Sequence, residues 1–461
     1  MNTQLRIDSL SLTNYRCFKK MDSPILFQPD ITVLVARNGE GKTAFLDAVK
    51  IALGTFTSSF PVTTYAHFHV SDVHISALHD NVYCEAVYPV SLKAEGIING
   101  KKEHWSRALQ KAKGRTTTSG ARVVSKYGEE LFKKTEADDE NANVSLPLIA
   151  FYGTGRLWAE HKDMDDGAIS PLAQSRFAGY ENALSARSTY KQVKNWLIEA
   201  LQMDASQVPS STQPGKFVHS QLVAIKKALQ NVLGNEGLGQ MHYNHFYKDI
   251  AVINNYKWDN GALRSNNNAA TALPIPWLSD GIRAVFSMVA DIAYRCVKLN
   301  PHLQERACEE TSGIILIDEV DIFLHPSWQQ RIIGDLQRTF PNIQFIVTTH
   351  SPQVVSSVPK ECIRIIDHGE IIPFSTPTQG VEIDDILRGI FGTEPILQNT
   401  QIAQKLNRLH SMLTEGLGNT SEWENIYREL EEYYGAQYPP LLGAKEHRDF
   451  LNKMKSGGRD A

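Results

Sequence analysis

The chain has 461 residues, 42% hydrophobic and 21% charged, with a formal net charge of -4. That balance is ordinary for a globular protein, and it excludes both disorder driven by excess charge and nucleic-acid binding through overall basicity. No apolar run approaches the roughly 20 residues of a membrane span, the start MNTQLRIDSL lacks the build of a secretory leader, and the five scattered cysteines form no C-x-x-C pair. The expectation is a cytoplasmic protein with no membrane association.

Residues 3–35 read as strands, LRIDSLSLTNY, ILFQ and ITVLVA, the last a short β-branched run suited to a sheet core. It leads into ARNGEGKT at 36–43 and then AFLDAVKIAL, where Phe45, Leu46, Val49 and Leu53 recur at helical spacing. A Gly-rich loop between a buried strand and a helix turns its N–H groups toward an anion at the helix N-terminus. Asn38, Gly39, Glu40, Gly41, Lys42, Thr43 and Ala44 are therefore expected to cradle the phosphates of ATP. Lys42 is expected to reach the β- and γ-phosphates, and the Thr43 hydroxyl to take a place on Mg2+. Ala36 stands where glycine is usual, and one added methyl is expected to leave the loop intact.

Further along, CEAVYPVSL reads as a strand, and the stretch from Lys101 to Lys126 is basic. Lys101, Lys102, Arg107, Lys111, Lys113, Arg115, Arg122 and Lys126, with Trp105 among them, either neutralise DNA phosphates or form a solvated hairpin face. The acidic run TEADDENAN follows as a loop, and residues 187–235 look helical. His242, Asn244 and His245 lack a second ligand pair, which favours an aromatic-rich turn over a metal site.

From 278 helices and strands alternate, as in an α/β domain with a mainly parallel sheet. Leu278-Ser279-Asp280-Gly281 precedes a long helix, and Ser279 and Gly281 offer a hydroxyl and N–H groups to an anion. The strand IILIDE ends in two carboxylates at the edge where α/β sheets place ligands. Asp318 is expected to hold Mg2+ and Glu319 to act as general base on the attacking water. His350 ends the next strand, QFIVTT, and is expected to contact the γ-phosphate or that water. Taken in this order, the loop, LSDG, carboxylate strand and histidine resemble an ABC-type ATPase head, and that resemblance implies nucleotide clamped between two copies of the chain.

The expected architecture is α/β, a P-loop head with a mixed sheet. Residues 1–92 form its first part, 93–275 an inserted β-rich and helical lobe, 276–383 its second part and 384–461 a helical tail. In the tail Ile402, Leu406, Leu409 and Leu413 make an apolar stripe, and Ser421 with Glu424 suggests a capping box. The tail serves either intramolecular packing or docking.

SLTNYRCF near the start, RNGEGKT and EVDIFLHPSW resemble the SMC/RecF branch of ABC ATPases, and the resemblance places Arg16 where it can approach nucleotide. LIAFYGTGRLW at 148–158, SRFAGYENALSARSTYKQVKNWL at 175–197 and the helical tail look like PtuA, the ATPase of Septu and related retron anti-phage systems. That likeness implies a homodimer or higher homo-oligomer, an HNH nuclease partner of the PtuB kind, and invading DNA as the final target. After His350 no strand-borne glutamate and Asp-x-Asp pair of a Toprim nuclease is found, so cleavage is assigned to the partner. The alternatives are a RecF-like DNA-repair clamp and a nucleotide-dependent scaffold with negligible turnover.

Overall fold

A computed structural model describes residues 4–61, 66–78, 83–137, 143–156, 175–185, 190–205, 213–234, 238, 240–254, 256–259, 262–265, 271–372, 374–393 and 400–457. The chain divides into two compact units, Met1–Ile383 and Asp384–Ala461.

The first unit opens on β1 (Leu5–Tyr15). Leu5 and Ile7 are buried, and so are Leu10 and Leu12; a bulge between Ile7 and Ser9 shifts the alternation by one so that both pairs reach the core. β2 (Phe18–Lys20) and β3 (Ile25–Leu26) pair back on β1. β4 (Ile31–Ala36) is buried along its whole length and runs into α1 (Lys42–Thr57). β5 (Ile75–Leu78) and β6 (Tyr83–Ala86) form a separate hairpin. β7 (Val90–Ile98) and β8 (Lys101–Leu109) are joined by Asn99-Gly100, both at positive φ, the pair that a tight two-residue hairpin turn requires. These strands complete an antiparallel sheet of order β2-β1-β7-β8, which α2 (Arg122–Ala137) follows.

β9 (Leu148–Tyr152) precedes α3 (Tyr190–Ala205) and α4 (Gln213–Leu233). β10 (Gln240–Asn244), β11 (Asp249–Asn254), β12 (Tyr256–Asp259), β13 (Ala262–Ser265) and β14 (Thr271–Pro274) then form a three-stranded sheet, β10-β11-β14, and a hairpin, β12-β13. α5 (Asp280–Leu299) and α6 (Ala307–Glu310) lead to β15 (Gly313–Ile317). α7 (Pro326–Gln329), α8 (Ile332–Thr339), β16 (Ile343–Thr349), α9 (Pro352–Ser356), β17 (Ile363–Asp367) and β18 (Glu370–Ile372) complete the unit.

The second sheet has the order β18-β17-β4-β16-β15-β9, parallel throughout except for β18. β16 therefore lies between the strand that feeds the Gly-rich loop and the strand that carries the carboxylates. The C-terminal ends of all three open on one edge, which is where parallel sheets gather ligands. Two parts of the stretch 93–275, β7–β8 and β9, hydrogen-bond into these two sheets and are layers of the α/β head itself. Of the run TEADDENAN, expected as a loop, Thr135–Ala137 instead end α2, and 138–142 lie outside the described residues.

α10 (Ile383–Gly389) starts on the last residue of the first unit, and the second unit continues with α11 (Gln401–Thr414), α12 (Ser421–Tyr434) and α13 (Pro439–Gly457). The last three close on a core of Leu406, Leu409, Met412, Trp423 and Leu430. The buried Trp423 indole N–H donates to the Leu409 carbonyl at 3.2 Å, so its polar atom is satisfied. The cap of α12 is Thr420, whose Oγ1 accepts from the Trp423 N–H at 3.3 Å; Ser421 is already the first helical residue, which corrects the expected capping box. Among the described residues no helix is long and apolar enough to cross a membrane.

Candidate functional site

Gly39 and Gly41 of the Gly-rich loop sit at φ 86° and 97°, the left-handed region that glycine enters without a Cβ penalty. At Gly41 a Cβ would stand 2.4 Å from Cys17 Sγ, so the loop is also packed too closely there for a side chain. The turn delivers Lys42 as the first residue of α1, and its Nζ donates to the carbonyls of Ala36 at 2.7 Å and Arg37 at 3.1 Å. Desolvation lowers the Lys42 pKa, while the charges of Glu319, Asp318, Asp321 and Glu40 oppose that shift. Ala36 is buried as the last residue of β4. Glu40 Oε2 accepts from the His368 N–H at 2.6 Å. Asn38 is exposed and Ala44 is buried.

Asp318 is the meeting point of the two halves of the chain. Its Oδ2 accepts from the Thr43 hydroxyl at 2.8 Å and its Oδ1 from the Thr348 hydroxyl at 2.7 Å. The same Thr348 oxygen accepts from the Glu319 N–H at 2.7 Å, and Glu319 has φ 48°. A hydroxyl and a carboxylate are hard oxygen donors, so the Thr43–Asp318 pair fits Mg2+ rather than a softer metal. His350 follows directly on β16, and its pKa lies below the ordinary value, first through desolvation and then through the charge of Lys42. Lys42, Thr43, Asp318, Glu319 and His350 thus share one edge of the parallel sheet.

The sequence reading missed Thr348, Thr349 and Asp321. Thr349 Oγ1 donates to Asp321 Oδ1 at 2.6 Å and accepts from the Ser351 N–H at 2.9 Å, fixing the turn that carries His350. The signal was present as a Thr-Thr-His strand end and an Asp two residues beyond Glu319, but only the adjacency of β15 and β16 gives it meaning.

The signature residues have other partners. Ser279 is exposed, and its hydroxyl caps α5 by accepting from the Ile282 N–H at 3.5 Å. A Cβ at Gly281 would come within 2.3 Å of the Phe323 carbonyl oxygen, so glycine lets α5 approach the loop that follows the carboxylate strand. Arg16 is engaged by Asp47 on α1 at 2.8 Å and by Asp72 at 2.7 Å, and the structure does not join it to the Lys42 cluster.

The basic stretch separates into two groups. Lys101, Lys102, Lys111, Lys113, Arg115, Arg122 and Lys126 are exposed. Arg107 and Trp105 are buried: Arg107 Nη1 donates to the carbonyls of Ile51 and Ala66, each at 2.7 Å, and the Trp105 indole N–H donates to the Ala52 carbonyl at 3.0 Å. These two residues fasten β8 to α1 and are not part of a DNA-facing patch. Asn244 closes the β10–β11 turn by accepting the N–H groups of Phe246 and Tyr247, and that turn is aromatic-rich. Of the two middle motifs, 157–158 and 186–189 lie outside the described residues.

Two family models match the chain, one described as "AAA domain" over residues 9–235 and one as "AAA domain, putative AbiEii toxin, Type IV TA system" over 167–356. The chain is similar to "Retron Ec83 probable ATPase" of Escherichia coli, 26% identical over 432 residues, which span 84% of this chain and 76% of that one. It is also similar to "Retron Vc95 probable ATPase" of Vibrio cholerae serotype O1 biovar El Tor, 26% identical with 94% and 88% covered. "Septu protein PtuA" of Bacillus mycoides strain KBAB4 is 30% identical over 187 residues, 35% of this chain and 25% of that protein.

Proposed function

We propose that this chain, similar over most of its length to two retron probable ATPases and over a shorter stretch to a Septu PtuA protein, is the nucleotide-driven subunit of an anti-phage complex and controls a separate HNH nuclease that acts on DNA. The reading further assigns it to the cytoplasm as a homodimer or higher homo-oligomer, with the exposed lysines and arginines of 101–126 as the candidate DNA contact. The observation that carries the ATP site is the Thr43–Asp318 hydrogen bond, which unites residues 275 positions apart in sequence at the mouth of the Gly-rich loop.

Within the site, backbone N–H groups of Gly39 to Thr43 bind the phosphates and Lys42 brings its charge to the β- and γ-oxygens. Thr43 and Asp318 would hold Mg2+, which, when bound, neutralises charge on the phosphates during transfer. Glu319 orients the attacking water and accepts its proton, and the neutral His350 imidazole fixes that water or the γ-phosphate. Ser279 and Gly281 present the α5 N-terminus to the nucleotide of a second copy, so turnover requires two chains. The similarity to Septu and retron proteins supports the defence role, and the PtuA resemblance supplies the nuclease partner.

The test is Lys42→Ala. ATP binding measured by calorimetry is expected to be lost, and with it nucleotide-dependent control of DNA cleavage by the co-purified nuclease. Unchanged ATP affinity would refute the assignment of the loop. Tight binding to DNA junctions by the chain alone, with no nuclease in the complex, would favour a RecF-like clamp instead.

A further inference from the structure

Tyr152 closes β9 beside the carboxylate strand, and it faces two ways. Its main-chain carbonyl accepts from the Asp318 N–H at 2.8 Å, extending the β9–β15 ladder by one step past Ile317. Its phenol donates to Asp291 Oδ2 at 2.7 Å. Asp291 belongs to α5, the helix that begins at Ser279, and lies eleven residues after Asp280, roughly 16 Å along the axis at 1.5 Å per residue.

Asp291 is held from the other side as well. Arg295, one turn further on, donates from Nε to the same Oδ2 at 2.7 Å and from Nη1 to the carbonyls of Gly179 and Glu181 at 2.7 and 3.1 Å. Asp291 and Arg295 are each 4% exposed and Tyr152 is 9% exposed. A hydrogen bond to a charged acceptor in such an interior is strong, and breaking it leaves buried polar atoms without partners. The ion pair alone would satisfy Asp291, and a phenylalanine would fill the space of the ring. The hydroxyl adds a buried hydrogen bond between the signature helix and the end of β9, whose carbonyl holds the Asp318 N–H.

We infer that Tyr152 is a positioning residue that transmits the placement of the α5 N-terminus to the metal-holding carboxylate. When Ser279 and Gly281 engage the nucleotide of a second copy, a shift of α5 carries Asp291 with it. The phenol passes that shift to the end of β9 and so to the Asp318 backbone. Hydrolysis thereby depends on a correctly seated partner. The inference rests on the ATP-site reading above.

The experiment uses the full-length chain. In Tyr152→Phe the kcat of ATP hydrolysis is expected to fall about tenfold, within the usual range of site-to-site coupling. KM for ATP, and the stoichiometry of a fluorescent ATP analogue, should stay close to wild type. The double variant Tyr152→Phe/Ser279→Ala should be no slower than Ser279→Ala alone, because both changes interrupt one route. Unchanged kcat in Tyr152→Phe overturns the inference. So does a kcat that falls only in step with binding stoichiometry, which marks a purely structural residue. Losses that multiply in the double variant, or wild-type turnover in Ser279→Ala, overturn it as well. None of these outcomes restores ATP binding to Lys42→Ala, so failure of the coupling is distinct from failure of the site.

Discussion

The Thr348 hydroxyl donates to Asp318 and accepts from the Glu319 N–H, so one side chain sets two adjacent carboxylates. Glu319 is held at φ 48°, a conformation that costs an L-residue about 1–2 kcal/mol, and this hydrogen bond is among the contacts that oppose its relaxation. On the neighbouring strand His350 is kept neutral at pH 7 by desolvation and by Lys42. Its folded pKa is lowered from 6.5, so the contribution of the neutral ring is complete above that value and is lost as pH falls below it toward the folded pKa. The kcat–pH profile is expected to be flat through pH 7 to 8 and to decline on the acid side of pH 6.5, and His350→Gln should remove that acid limb. An identical limb in the variant would assign it to another group.

At the scale of elements, the hairpin β7–β8 stabilises the helix that opens at the ATP loop. Arg107 inserts a guanidinium between α1 and the segment at Ala66, with Trp105 alongside, and desolvation brings its pKa down to about 10. It remains charged at neutral pH, and its buried N–H groups are satisfied by the carbonyls of Ile51 and Ala66. Arg107→Ala is expected to destabilise the fold by about 1–3 kcal/mol, through loss of hydrogen bonds from a buried charged donor, read as a lower denaturant midpoint. An unchanged midpoint would mean that water replaces the guanidinium. DNA affinity, if measured on folded protein, should then depend on the exposed lysines and not on Arg107.

For the whole molecule, the proposed reading requires that nucleotide join two copies. Glu319→Gln removes the general base while leaving the Thr43–Asp318 pair in place. In sedimentation experiments this variant is expected to double its mass, or to build larger species, when ATP and Mg2+ are added. The Ser279→Ala variant should do so weakly or not at all. An ATP-saturated Glu319→Gln that shows no change in mass would rule out the nucleotide clamp while leaving single-chain ATP binding intact.

What the sequence by itself determined is local: a buried β-branched strand ending in a Gly-rich turn, an apolar strand ending in two carboxylates, and the helix periodicity between and after them. Such signals reside in a few consecutive residues, because φ preferences, alternation and helical spacing act over one or two turns of chain. The tertiary structure alone decided which of these segments are neighbours. It placed β16 between β4 and β15, so that Thr348 could link Asp318 to Glu319, and it set β9 at the sheet edge, where Tyr152 meets α5. It also turned Arg107 and Trp105 inward from a stretch whose composition is that of a surface patch, and tied Arg16 to Asp47 and Asp72. Burial and pairing across hundreds of residues depend on strand order, and strand order is set by the packing of the entire unit rather than by any short segment.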